Sequence, residues 1–121
     1  MAQGKDKSPS RQQVYTLLVQ CGRKAGDGLP DKATGAAMVC YASGVDEAEA
    51  VRETVAILKQ ADLSVLDVTG YGTREERAAQ GHDIDPAEAN LMDRALAENS
   101  VIVAQMEPLY GDGLEIPQVL Q

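Results

Sequence analysis

Residues 45–69 read VDEAEAVRETVAILKQADLSVLDVT, and a change of period inside this stretch decides the fold class. Up to Leu63 the apolar residues recur at helical spacing: Ala48, Val51, Val55 and Leu58 form one stripe, while Glu47, Arg52, Glu53 and Lys59 lie elsewhere. Asp46 followed by Glu49 has capping-box spacing, with aspartate in the place of Ser or Thr. From Leu63 the helical period stops, and LSVLDVT reads as a strand.

Toward the C-terminus the start signal recurs. Asp85 as cap, Pro86 at the first helical position and Glu88 at the third open a helix over DPAEANLMDRALAEN, with Leu91, Met92, Ala95 and Leu96 as its buried stripe. VIVAQM then reads as a last strand. Toward the N-terminus two apolar β-rich runs, VYTLLVQCG and GAAMVCYAS, flank the Gly, Pro and Asp-rich RKAGDGLPDKAT, which predicts a strand, a long hairpin-like loop and a strand.

The order strand, strand, helix, strand, helix, strand predicts an α/β (α+β) two-layer sandwich: a four-stranded sheet with the two main helices on one face. A ferredoxin-like arrangement is favoured. That fold wants a strand where GTREERAAQGHDI reads as helix or loop, which leaves a vacant lane for the N-terminal strand. Residues 1–12, almost without apolar content, are expected to be a disordered tail, 13–110 a single domain and 111–121 a C-terminal tail whose LEIPQVLQ suits an edge strand or dimer arm. Sliding the chain by 39 residues pairs Asp46, Ala48, Glu49, Ala50 and Ala56 with Asp85, Ala87, Glu88, Ala89 and Ala95, and Tyr71-Gly72 with Tyr110-Gly111. Shared capping chemistry alone can produce such a match.

Composition narrows function by exclusion. The 121 residues hold one core, built without Phe or Trp. The net charge of -8 is concentrated on residues 44–107, a sign that repels phosphate backbones and anionic lipid, so neither nucleic acid nor membrane is expected as a partner. No apolar run approaches the roughly 20 residues that span a bilayer, and a cytoplasmic location is expected. Cys21 and Cys40 fit neither a zinc pattern nor a disulfide framework, and no metal or other cofactor is expected.

One segment carries the site expectation. Val68–Asp83, VTGYGTREERAAQGHD, lacks the third glycine of a dinucleotide fingerprint, because Glu75 stands in its place. Gly70 and Gly72 instead let the chain leave the strand, and Thr73 with Glu76 makes the capping box of a short helix. Its exposed polar residues, Tyr71, Thr73, Arg74, Arg77 and His82, are the expected ligand or partner contacts, together with the Arg23-Lys24 loop. Cys21 and Cys40, on strands expected to be adjacent, suggest a cross-strand thiol pair. No catalytic constellation is complete. The expected role is a small acidic binding or regulatory protein acting through protein contacts as a homodimer. The alternatives are a small-molecule enzyme using thiol or His82 chemistry in a cavity at a dimer sheet face, and an acidic immunity-like partner of a basic protein.

Overall fold

The computed structural model describes residues 12–111; the expectations for 1–11 and 112–121, including the LEIPQVLQ arm, fall outside that range. The elements in chain order are β1 (Gln13–Cys21), β2 (Gly35–Gly44), α1 (Glu47–Gln60), β3 (Val65–Thr73), α2 (Arg74–Ala79), α3 (Pro86–Glu98) and β4 (Val101–Leu109). They form an α+β fold, a four-stranded antiparallel sheet of order β3-β1-β2-β4 with the helices packed on it. β1 and β2 are the central hairpin, with Leu17 opposite Cys40 and Val19 opposite Met38.

β1 lies between β3 and β2, so the N-terminal strand does take the vacant lane, and β2, α1 and β3 form one split β-α-β unit astride it. Beyond that unit the ferredoxin-like expectation needs correction. A single stretch of α2 and α3 links edge strand β3 to edge strand β4, in place of the second split unit that fold requires.

The placement of the two long helices is also corrected: they do not share a face. Tyr15, Leu17, Val19 and Cys21 of β1 pack with Ala36, Met38, Cys40 and Ala42 of β2 beneath Ala50 and Leu58 of α1. Val14 and Leu18 pack with Ala37, Val39 and Tyr41 beneath Met92 and Ala95 of α3. Successive strand residues point to opposite faces, so these are the two sides of one sheet, each sandwiched against its own helix. The cause is legible in β2, every residue of which is buried. A strand without polar alternation must be covered on both faces.

Capping follows the sequence. The Asp46 side chain accepts from Glu49 N at 2.8 Å, and Asp85 from Glu88 N at 2.8 Å. Within α1 the buried stripe is Ala50, Thr54 and Leu58, rotated from the one expected, and Ala48 is exposed. The two Tyr-Gly exits share one backbone device, since Gly72 (φ 92°) and Gly111 (φ 76°) both take the left-handed conformation that glycine tolerates. Among the described residues no helix is long and apolar enough to cross a membrane.

Candidate functional site

Val68–Asp83 folds as the end of β3, the short helix α2 and a loop into α3. Tyr71 is the extra residue of a β-bulge, because Leu17 pairs with Gly70 while Thr16 pairs with Gly72. Its ring packs partly buried against the α3 side of the core. The capping box is complete: Thr73 Oγ1 accepts from Glu76 N at 3.1 Å, and Glu76 Oε1 accepts from Thr73 N at 2.8 Å. Arg74 reaches Asp93 at 2.9 Å, an exposed pair of little energetic weight.

Arg77 departs from expectation, for it is a buried residue only 3% exposed. Its guanidinium donates from Nη1 to Thr16 Oγ1 at 3.1 Å and to Glu88 Oε1 at 3.4 Å, and from Nε to His82 Nδ1 at 3.2 Å. Tyr41 donates its hydroxyl to the same Glu88 oxygen at 2.8 Å. Burial, followed by the Glu88 hydrogen bond and charge, pushes the Tyr41 phenol up to about 12. This network anchors α2 and α3 to the sheet, and each polar group in it has a partner. Glu88 shows how it arises: Asp85 caps its N–H, but its carboxylate turns inward to Arg77 and Tyr41.

Of the five expected contact residues, Arg77 is therefore an internal strut, Thr73 a cap and His82 the acceptor at the Arg77 end. Arg74 is exposed. The Arg23-Lys24 loop does not join them. Cys21 pairs with Val65 at one end of β3 and Tyr15 with Thr73 at the other, so loop and segment sit at opposite ends of the sheet. Arg23 is spent on its own loop, donating to both Asp27 carboxylate oxygens at 3.0 and 3.2 Å and to the Ala33 carbonyl at 2.6 Å.

The thiol pair is not formed either. Cys21 and Cys40 share the α1 face, but Cys21 stands opposite Ala36 and Cys40 opposite Leu17, which separates them by four positions along the ladder. At about 3.3 Å per residue that exceeds the reach of a disulfide. Burial raises the Cys21 thiol and pushes that of Cys40 up to about 12, the reverse of what a reactive thiol needs.

Two surface clefts are lined by described residues. One, of about 260 Å³, lies between Val14, Thr73, Arg74, Met92 and Leu96 beside α2. The other, of about 340 Å³, lies between α1 and the start of β4, lined by Gln12, Ser43, Glu49, Glu53, Ile57, Asn99, Ser100 and Val101. The second was missed by the sequence reading. Its signal, Glu49, Glu53 and Ile57 on one helical row, looks like an ordinary solvated face until β4 is placed beside it.

Residues 14–110 match the model of one protein family, described as Domain of unknown function (DUF8846). No curated protein and no solved structure matches the chain.

Proposed function

The chain belongs to the DUF8846 family, and we propose that it is a binding or regulatory module that acts through protein contacts as a homodimer, with the outer edge of β4 as the contact between copies. The observation that carries this reading is the apolar side of β4. Val103 and Met106 lie on the face that α1 covers elsewhere, opposite Cys40 and Met38, yet are 43% and 52% exposed. β4 is also an edge strand, hydrogen-bonded among the described residues to β2 alone.

An open row of backbone donors and acceptors beside uncovered apolar side chains is a template for another strand. A second copy is the occupant favoured by charge. In a chain of net charge -8, the nine residues VIVAQMEPL carry one charged side chain, Glu107, so two copies meet there with least repulsion. Antiparallel pairing of β4 with its own copy is closed by a two-fold axis. The other edge is less suited, since the β1–β3 ladder carries two register irregularities against one in the β2–β4 ladder. A dimer through an open sheet face is not supported, because helices cover both central faces. The enzyme alternative loses support with it: that cavity has no floor, the thiols are insulated, and His82 Nδ1 is occupied.

Sedimentation over a range of protein concentrations tests the reading. A concentration-dependent dimer is expected, and Met106→Glu, which places a charge on the edge, is expected to dissociate it without unfolding. A wild-type chain that remains monomeric into the millimolar range rejects the homodimer.

A further inference from the structure

We propose that residues 114–120, LEIPQVL, fold back beside β4 as a further strand of the sheet and cap the edge on which a second copy pairs. The docking of this strap stands apart from the state of association. Only its consequence, competition between the strap and a second copy, rests on the homodimer reading.

Two hydrogen bonds fix which way β4 faces. The Ser100 carbonyl accepts from Ser43 N at 3.1 Å and the Leu109 carbonyl from Thr34 N at 2.7 Å, so both are turned toward β2. Backbone groups alternate along a strand, and one register irregularity lies between these two ends, so Val101, Val103, Met106 and Pro108 present theirs to the open edge. Their side chains lie on the α1 face, opposite Ala42, Cys40, Met38 and Ala36. The open backbone row and the exposed Val103 and Met106 are therefore one surface. Pro108, which has no N–H, stands where the ladder with β2 loses no bond.

The segment that follows matches this surface. Gly111 leaves β4 at φ 76°, the left-handed conformation that hairpin loops use, and Asp112-Gly113 continues the turn composition. Pro117 cannot donate, so in an edge strand its nitrogen faces solvent, which leaves Leu114, Ile116 and Gln118 to bond β4. Residues that exchange hydrogen bonds across an antiparallel ladder share a face, so the same parity sets Leu114 and Ile116 beside Met106 and Pro108 on the α1 face. The proline and the apolar pair make separate demands, and one arrangement meets both. Tethering at Gly111 holds the segment at an effective concentration on the order of millimolar, above that of a second copy in micromolar solution.

Amide hydrogen exchange of the ¹⁵N-labelled full chain at several protein concentrations is the test. The edge-facing N–H groups of Val103 and Met106 are expected to be protected to the same degree at every concentration. Ile116→Asp and Leu114→Asp, both outside the packed core, are expected to lower that protection about tenfold or more, while Glu115→Gln leaves it in place. Unprotected amides in the dilute wild-type chain overturn the strap. So does protection that rises with concentration and ignores Ile116→Asp, which assigns the edge to a second copy alone. Sedimentation of Ile116→Asp tests the consequence: release of the edge is expected to tighten the dimer about tenfold or more, and an unchanged dimer overturns the competition. If wild type and Ile116→Asp are both monomeric, the homodimer reading fails, and the exchange result still decides the strap.

Discussion

Arg77 Nη1 lies 3.1 Å from Thr16 Oγ1, tying the short helix α2 to the middle of a central strand across 61 residues of sequence. The same guanidinium reaches Glu88 and His82, so one side chain holds α2, the α2–α3 loop and the first turn of α3 against the sheet. The arginine expected from the sequence as an exposed contact residue is instead a constraint on the fold.

Arg77→Ala is accordingly expected to destabilise strongly. Removing one partner of a buried ion pair costs about 3–5 kcal/mol, and the partial exposure of Glu88 brings the expectation to about 2–4 kcal/mol. Arg74→Ala, which breaks only the exposed pair with Asp93, should change stability by about 0.5 kcal/mol or less. Urea unfolding of both variants checks the contrast, and equal effects would contradict the network.

Stability should fall on the alkaline side. Both Tyr41 and Cys40 are raised to about 12 in the fold, from ordinary values of 10.0 and 9.0. Between the unfolded and folded values the unfolded chain has released the proton and the folded chain retains it. The stabilisation is thus complete below about pH 9 and is lost as the pH rises toward 12. Denaturant midpoints measured from pH 8 upward should decline, and Tyr41→Phe should make the decline shallower. An unchanged slope in that variant would remove Tyr41 from the account.

On the acid side Asp27 is the group to follow. The Arg23 hydrogen bond, then the Leu29 and Lys24 backbone N–H groups, hold its carboxyl well below its ordinary 3.8. A depressed folded value gives stability that is present above the unfolded value and lost as the pH falls below it. Asp27→Asn should flatten the acid limb of the stability profile below about pH 4. It should also increase amide exchange in residues 23–34, where the wild-type loop is clasped by Arg23.

Gly35→Ala should disrupt the hairpin. A Cβ at this position would run into the carbonyl oxygen of Cys21, a backbone atom of the partner strand. The strand has little slack with which to yield, because the next residue, Ala36, pairs with Cys21 and Gly35 itself pairs with Leu109 on the other side. Loss of soluble protein or a clearly lowered Tm is expected, whereas Gly81→Ala meets no atom within 4 Å and is strained only by its φ of 88°. A wild-type Tm for Gly35→Ala would show that the register can slip.

What the sequence determined by itself was local. Asp46, Thr73 and Asp85 start helices because their side chains accept from an N–H three residues on, a bond made within one turn whatever lies elsewhere. The four strands were visible for the same reason, as apolar β-rich runs bounded by Gly, Pro and Asp. The division of the helices between two faces was also present in VYTLLVQC and GAAMVCYAS, whose lack of alternation demands cover on both sides. The tertiary structure decided which residues meet. Thr16, Tyr41, Arg77 and Glu88 come from β1, β2, α2 and α3, and no spacing rule joins them. Burial is likewise a property of the assembled sheet, so an arginine in a polar stretch reads as solvent-facing until its neighbours are placed. The cleft followed the same logic, arising only because β4 lies beside α1, a pairing set by sheet order rather than by any local preference of the chain.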